Sequence, residues 1–143
     1  MAIANVLLVD DEVPFVEAMA RRLKKRDVNI ATAFSGSEGL DVLGEDSSVE
    51  VVILDVKMPG MDGIETLSEI RKKFPLQEVI MLTGHATVET GIEGMKLGAF
   101  DYLMKPCDMD VLMEKVKEAS AKKRKHEEKI IEARMKEITS RRA

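Results

Sequence analysis

Residues 51–65 read VVILDVKMPGMDGIE, and they place one carboxylate directly after a run of four apolar residues. A short continuous apolar run is typical of a strand that is buried on both faces of a parallel sheet. Asp55 stands where the run ends, shortly before a Pro-Gly turn. Because aspartate is unfavourable in strands and is rarely buried without a partner, we expect Asp55 to have a chemical role there.

The composition is typical of a globular protein with one domain. The chain has 143 residues, of which 45% are hydrophobic and 34% are charged, which suffices for one core and is short for two domains. No run of 18 apolar residues is present, the start lacks the features of a signal peptide, and the single cysteine, Cys107, cannot form an internal disulfide. We therefore expect a cytoplasmic protein that does not interact with membranes.

Short apolar runs alternate with segments of helical spacing along residues 1–119. The apolar runs lie at about residues 5–9, 28–33, 50–54, 78–82 and 100–104. The segments with helical spacing cover residues 13–26, 36–44, 63–73, 86–97 and 108 onward. This alternation predicts βαβ units, a parallel sheet, and right-handed crossovers that place helices on both faces. The sequence therefore predicts a doubly wound α/β domain with five strands.

Polar residues stand at the ends of four of the five predicted strands. Asp10 and Asp11 follow the first strand, and the later strand ends present Asp55, Thr83 and Lys105. Parallel strands have their carboxyl ends at one edge of a sheet, and ligands of open α/β sheets bind beyond that edge. We therefore expect three carboxylates, one hydroxyl group and one ammonium group to lie close together.

This set of side chains suggests chemistry with a metal ion and a phosphoryl group. Three carboxylates in one cleft raise each other's pKa unless a cation lies between them. Oxygen ligands without His or Cys favour Mg²⁺ over zinc, and Mg²⁺ sites commonly also hold a phosphate. Lys105 and Thr83 suit the oxygens of a phosphoryl group, and an aspartate can act as a nucleophile that forms an acyl phosphate. We interpret Asp55 as a phosphoryl acceptor.

Four sequence segments resemble the receiver domains of bacterial two-component response regulators. The segments are VLLVDDE at 6–12, VILDVKMPGMDGIE at 52–65, VIMLTGHA at 79–86 and GAFDYLMKP at 98–106. The similarity covers residue 4 to about residue 119, and it is greatest to receivers of σ54-dependent transcription activators. It implies a flavodoxin-like fold with strand order 2-1-3-4-5, followed here by an extended C-terminal helix.

The resemblance also implies how phosphoryl acceptor and metal are arranged. Asp55 would take the phosphoryl group from a sensor histidine kinase, a phosphotransfer protein or a small phosphodonor. Asp11, Asp55 and the backbone carbonyl of Lys57 would bind Mg²⁺ directly, and Asp10 would act through metal-bound water. Such a domain is a phosphoacceptor switch that catalyses its own phosphorylation and dephosphorylation, and it is not an enzyme with a separate substrate.

Further residues would respond to the phosphoryl group. By resemblance, Thr83 and Lys105 contact its oxygens, and Thr83 and Tyr102 form the conformational switch. The Lys105–Pro106 peptide bond corresponds to a position that is usually cis in the family. The side chains of Lys57 and His85 stand where relatives control the rate of dephosphorylation, so we expect both to tune the lifetime of the phosphoryl group.

A second class of function starts from the same residues. A Mg²⁺-dependent phosphohydrolase also uses an aspartate nucleophile. Enzymes of that class generally have a second carboxylate two residues after the nucleophile, where this chain has Lys57, and no segment of the sequence suggests a cap domain. The sequence therefore favours a signalling switch.

The last part of the chain has a different charge from the rest. Residues 1–119, the predicted receiver domain, carry 13 Lys/Arg and 22 Asp/Glu, whereas residues 120–143 carry 9 Lys/Arg and 4 Glu. We predict that residues 120–143 form a basic helical tail, which is either a solvated helix, a linker to an output domain or partner protein, or a segment that forms a homodimer. Charge alone suggests nucleic-acid binding by the tail. Aromatic residues are only 3% of the chain, so we expect no direct nucleic-acid binding by the receiver domain.

Overall fold

Five strands and five helices alternate along the chain. The computed structural model describes residues 2–142, with side chains through residue 140. Strands β1 to β5 are Ala4–Val9, Val28–Ala33, Val51–Leu54, Glu78–Thr83 and Asp101–Met104. Helices α1 to α5 are Val13–Lys24, Gly36–Glu45, Gly63–Lys73, Val88–Lys96 and Met109–Arg142. Met1, the first residue of the predicted receiver domain, and Ala143, the last residue of the predicted tail, lie outside the described residues.

The strands form one parallel sheet in the order β2-β1-β3-β4-β5. This order confirms the predicted doubly wound, flavodoxin-like fold. The chain moves outward from β1 in one direction to β2 and in the other direction to β3, β4 and β5. The carboxyl ends of β1 and β3 are therefore neighbours at the point where the strand order reverses, which is where ligands bind in folds of this type.

Hydrophobic cores on both faces of the sheet explain the continuous apolar runs. Residues of β3 alternate between the two cores: Val51 and Ile53 pack on the face covered by α1 and α5, and Val52 and Leu54 pack on the other. All four residues are at most 1% exposed. Full burial of one such side chain stabilises the fold by about 1.5–3 kcal/mol, so β3 is a firm support for the residue that follows it.

Helix α5 packs on the sheet with its first turns and then continues beyond it. Its buried face includes Leu112, Val116 and Ala119, each 0% exposed. The helix passes the boundary predicted near residue 119 without a break and runs to Arg142, which confirms the extended C-terminal helix. α5 is rich in charged residues, and within residues 2–142 no helix has both the length and the apolar character needed to cross a bilayer.

Candidate functional site

The parallel sheet brings distant polar residues to one edge. Val9 of β1 pairs with Leu54 of β3, so Asp10 and Asp55, which follow these two residues, are neighbours. Thr83 ends the next strand, β4. The carboxyl edge of the sheet therefore holds residues such as Asp10 and Thr83, which are 73 positions apart in the sequence.

Three aspartates form the centre of the site. One carboxylate oxygen each from Asp10, Asp11 and Asp55 lies within 4.8 Å of the other two. Asp10 is 1% exposed and Asp55 is 2% exposed, whereas Asp11 is partly exposed. Negative charges this close repel each other strongly because little water screens them. We refer to these three residues as the aspartate cluster.

Backbone hydrogen bonds hold the two buried aspartates. The N–H group of Asp55 donates to the carbonyl of Val9 at 3.0 Å, which continues the pairing of β3 with β1. Asp55 Oδ1 accepts from the N–H group of Val56 at 2.8 Å. Asp10 Oδ1 accepts from the N–H group of Glu12 at 2.9 Å. Each carboxylate is thus oriented by the turn that follows its strand.

The loop after Asp55 returns close to the backbone of Asp55 itself. The N–H group of Gly63, the first residue of α3, donates to the carbonyl of Val56 at 2.7 Å. A Cβ atom on Gly63 would lie 2.0 Å from the carbonyl oxygen of Asp55. Only glycine can fill this position without moving the backbone that supports the carboxylate.

Lys105 brings a positive charge to the aspartate cluster. Its Nζ donates to Asp10 Oδ2 at 2.7 Å and to Glu12 Oε1 at 3.1 Å, and lies 3.7 Å from Asp55 Oδ2. The same nitrogen lies 3.9 Å from the centroid of the Phe15 ring, within range of a cation–π interaction. The Lys105 side chain is 13% exposed, so solvent screens these contacts little.

The pKa values of Asp10 and Lys105 are both raised, for different physical reasons. Burial raises the pKa of Asp10 above 3.8, with a further rise from the charge of Asp55 and an opposing effect of Lys105. Burial alone would lower the pKa of Lys105, but its hydrogen bond to Asp10 and the charge of Asp55 outweigh burial and raise the pKa above 10.5. Lys105 is therefore protonated at neutral pH. One ammonium group beside a cluster of three aspartates leaves negative charge in excess.

Thr83 and His85 form the start of the loop from β4 to α4. Thr83 is fully buried, and its Oγ1 accepts from the N–H group of His85 at 3.1 Å. The carbonyl of Thr83 accepts from the N–H group of Lys105 at 2.9 Å. This bond ties the end of β4 to the residue that carries the ammonium group.

An open cleft lies beside the aspartate cluster. Its volume is about 450 Å³, and it is lined by Asp11, Glu12, Lys57, Met58, Pro59 and His85. Lys57 and His85 are both exposed, so the structure places the two residues that were expected to tune the lifetime of a phosphoryl group where solvent meets the site.

Tyr102 contacts α4 and not the aspartate cluster. Its hydroxyl oxygen lies 2.7 Å from Thr90 Oγ1, and Thr90 forms a capping box with Thr87 at the start of α4. Tyr102 pairs in the sheet with Met81, two residues before Thr83. Tyr102, the predicted switch residue, is therefore hydrogen-bonded to the first turn of α4, the helix that follows the Thr83 loop.

The sequence alone does not single out Phe15 or Thr90 as part of the site. Phe15 has the spacing of a core residue of α1, and only the fold shows that its ring lies beside Lys105. Thr90 carries a weak signal, since Thr87 and Thr90 have the spacing of a capping box. The Lys105–Pro106 bond is cis, as expected.

The donor atoms of the aspartate cluster suit a divalent metal. Within the part of the chain that the structure describes, the cluster consists of carboxylates, with neither His nor Cys among its members. Hard oxygen donors that are close together and partly reachable from solvent favour Mg²⁺ or a similar ion over zinc. The residues present therefore fit the predicted ion.

The sheet and the site together define a class of protein: a flavodoxin-like domain with an acidic carboxyl edge whose carboxylates could hold a metal ion. The family model described as "Response regulator receiver domain" matches residues 6–117 of the chain. The chain therefore belongs to the response regulator receiver domain family.

Individual relatives agree with this family. The chain is 39% identical over 121 residues to an NtrX-like response regulator of Rickettsia bellii, covering 83% of this chain and 25% of that protein. It is 38% identical over 117 residues to the transcriptional regulatory protein ZraR of Salmonella typhimurium, covering 82% of this chain and 26% of that protein. The chain thus spans about a quarter of the length of the curated relatives it matches.

A solved structure shows the same fold. The receiver domain protein from Clostridium thermocellum superimposes with a TM-score of 0.81 at 38% sequence identity, and the match covers 85% of this chain and 97% of that one. Because the other chain is covered almost completely, the similarity extends over a whole receiver domain.

Proposed function

We propose that this receiver domain accepts a phosphoryl group on Asp55 in a Mg²⁺-dependent reaction and changes conformation in response. The observation that carries the proposal is the unbalanced charge at the carboxyl edge, where the ammonium group of Lys105 contacts Asp10 and Asp55 and Asp11 adds a third carboxylate to the cluster. A structural ion pair would be balanced. An excess of buried negative charge destabilises the fold unless a cation binds, which suggests that the arrangement is kept for function.

The proposed reaction transfers a phosphoryl group to a carboxylate. A carboxylate oxygen of Asp55 attacks phosphorus, and the bond between phosphorus and the imidazole nitrogen of a donor phosphohistidine breaks, with its electron pair remaining on nitrogen. The donor is a sensor histidine kinase or a phosphotransfer protein, and a small phosphodonor serves the same role in vitro. The product is an acyl phosphate on Asp55.

Lys105 and Thr83 are suited to hold the transferred group. Lys105 Nζ lies 3.7 Å from Asp55 Oδ2, so phosphoryl oxygens on that carboxylate come within its reach. The hydroxyl oxygen of Thr83 already accepts a hydrogen bond from His85, which leaves the hydroxyl hydrogen to donate to a phosphoryl oxygen. Charge-assisted hydrogen bonds of this kind are about twice as strong as neutral ones.

Asp10, Asp11 and Asp55, with the backbone carbonyl of Lys57, are the residues that would hold Mg²⁺. When bound, Mg²⁺ supplies positive charge that offsets the repulsion between the carboxylates and the phosphoryl oxygens.

The same proposal assigns the remaining parts of the molecule. Tyr102 and Thr83 are the switch, and His85 and the side chain of Lys57 tune the lifetime of the acyl phosphate.

Residues 1–119 act as the receiver, and residues 120–143 link it to an output domain or partner protein, or to a second copy of the chain. The names of the two relatives, a response regulator and a transcriptional regulatory protein, support a signalling output over a phosphohydrolase.

Intact-mass spectrometry after incubation with acetyl phosphate and Mg²⁺ tests the proposal. We expect one phosphoryl adduct that is stable in acid and labile in base, and no adduct with Asp55→Asn or with a chelator present. A folded wild-type chain that binds Mg²⁺ and gives no adduct across a range of times would contradict the proposal.

A further inference from the structure

Two glutamates are buried at the amino edge of the sheet, opposite the aspartate cluster. Glu50 directly precedes β3, and Glu78 is the first residue of β4. The two residues are 9% and 3% exposed. A buried carboxylate destabilises a fold unless it is paired with a cation and hydrogen-bonded, so both glutamates require partners.

Glu50 receives its partner from the tail of α5. The guanidinium of Arg124 contacts both carboxylate oxygens: Nη2 donates to Oε1 at 2.9 Å, and Nε donates to Oε2. Nη2 also donates to the carbonyl of Ile3 at 3.0 Å, and Oε1 accepts from the N–H group of Asn5 at 3.0 Å. A two-point contact between guanidinium and carboxylate fixes orientation as well as distance.

Glu78 is paired with the same segment of α5. Lys122 Nζ lies 3.5 Å from Glu78 Oε2 and 5.7 Å from the centroid of the Phe100 ring. Lys122 and Arg124 both belong to the basic run KKRK at residues 122–125, which by charge alone suggests a site for nucleic acid. Two of its four cations are therefore already used by carboxylates of the sheet.

We propose that Glu50 and Glu78 form an anchor that holds the root of the tail helix through Arg124 and Lys122. The folded receiver unit then extends to about residue 124, and α5 leaves the domain in one fixed direction. Exposed apolar residues further along, such as Ile131, are held at a defined place relative to the sheet. The anchor does not depend on phosphorylation of the domain.

The anchor lies on the same strands as residues of the candidate site. β3 carries Glu50 before its first residue and Asp55 after its last, and β4 begins with Glu78 and ends with Thr83. The strands that hold the tail at their amino ends are thus the strands that carry site residues at their carboxyl ends. An output element joined to α5 would be attached to two neighbouring strands, β3 and β4, that lead to the site.

Hydrogen–deuterium exchange of the full chain tests the anchor. We compare Arg124→Met with Lys125→Met, a neighbouring exposed residue for which the described part of the chain offers no ion-pair partner. Both changes remove one positive charge from the same helix and introduce a good helix former. We expect Arg124→Met to speed exchange of the amides in residues 120–130 about tenfold, as the loss of a charge-assisted hydrogen bond implies, and Lys125→Met to leave their exchange unchanged.

Glu50→Gln supplies an independent readout. Its amide keeps the size of the side chain but lacks the charge, so we expect faster exchange in residues 120–130 in this variant too. If the two residues act as a pair, the double variant exchanges no faster than Arg124→Met alone. Equal exchange in Arg124→Met and Lys125→Met, or fully additive effects of Glu50→Gln and Arg124→Met, would overturn the proposal.

Discussion

Carboxylates are buried at both edges of the sheet, but the cations that face them are arranged differently. At the carboxyl edge, Asp10, Asp11 and Asp55 form one cluster, and the ammonium group of Lys105 contacts Asp10 and Asp55. At the amino edge, Glu50 and Glu78 each lie beside a cation from α5, and Glu78 also interacts with the positive charge of Arg71. The first edge has negative charge in excess, whereas the second has at least one cation for each carboxylate.

This difference distinguishes a site that is suited to bind a ligand from contacts that hold the fold together. A balanced pair has little affinity for a further ion, so it serves to hold elements together. An unbalanced cluster is unstable by itself and gains free energy when a cation binds. We infer that the charge balance of a buried acidic group, more than its burial, distinguishes the candidate site from the anchor.

The largest effect is expected when the shared cation of the carboxyl edge is removed. Lys105→Met leaves two nearly fully buried aspartates without their ammonium partner. We expect a loss of about 3–5 kcal/mol in the free energy of unfolding without metal, and partial recovery on addition of Mg²⁺. Urea denaturation at pH 7 measures both, with the exposed Lys96→Met as the control. A loss below 1 kcal/mol, or one that Mg²⁺ does not reduce, would disagree with the charge argument.

Mg²⁺ should distinguish the two edges directly. At about 100 times its dissociation constant, Mg²⁺ should raise the free energy of unfolding of the wild type by about 2.7 kcal/mol. Glu50→Gln should keep this increase, because the amino edge is balanced, and Asp55→Asn should lose most of it. Thermal and urea unfolding with and without Mg²⁺ provide the test. An undiminished increase in Asp55→Asn would show that the ion binds elsewhere.

The anchor should weaken in acid. Burial alone would raise the pKa of Glu50, but the hydrogen bonds from Arg124 and from the N–H group of Asn5 outweigh it and hold the pKa below its ordinary value of 4.5. The pair therefore contributes stability above pH 4.5 and loses it as pH falls through the lowered pKa.

We expect Arg124→Met to cost about 1–2 kcal/mol at pH 7, less than a fully buried pair, because the Arg124 side chain is 54% exposed. The difference from the wild type should shrink below pH 4.5. Urea denaturation between pH 3 and 7 follows it, and a difference that stays constant over about this range would exclude an ionic anchor. Asp10 at the other edge has a raised pKa, so its protonation relieves repulsion and has the opposite sign.

The smallest effect concerns α4, the helix beside the carboxyl edge. Gly91 and Gly94 face the Tyr102 ring, and a Cβ on either would lie 3.7–3.8 Å from it, an ordinary packing distance. Gly91→Ala and Gly94→Ala should therefore each stabilise the chain by about 0.5–1 kcal/mol. Gly63→Ala should destabilise it, because of the close approach to Asp55. Thermal unfolding measures all three, and a loss of stability at Gly91 would mean that α4 is less regular than described.

The fold could be predicted because local pattern and overall topology agree. The apolar run of β3 is buried on both faces, as a central parallel strand must be, and its neighbours follow the same rule. The ends of elements differ by a few residues; α4 begins at Val88 and not at residue 86, because Thr87 serves as its N-cap. Strand order followed from the resemblance, since periodicity alone does not specify it.

The site was accessible from the sequence only in part. The carboxyl ends of parallel strands meet at one edge by geometry, so the pattern of strand ends is enough to predict that Asp10, Asp55 and Lys105 meet. The contact of Lys105 with Phe15 and the anchor between Glu50 and Arg124 could not be predicted, because they join elements through side-chain directions that depend on packing. When the side-chain directions are unknown, the charge pattern alone suggests that the cations of the basic run have no partners within the domain.

The most direct test of the account is to locate the phosphoryl group. Phosphorylated protein is reduced with borohydride, which converts an aspartyl phosphate into homoserine, and is then digested and sequenced by tandem mass spectrometry. We predict homoserine at position 55 in the wild type, dependent on acetyl phosphate and Mg²⁺. Homoserine at another aspartate, or a stable phosphoryl group on Ser, Thr or His, would contradict the assignment of the carboxyl edge as the phosphoryl-acceptor site.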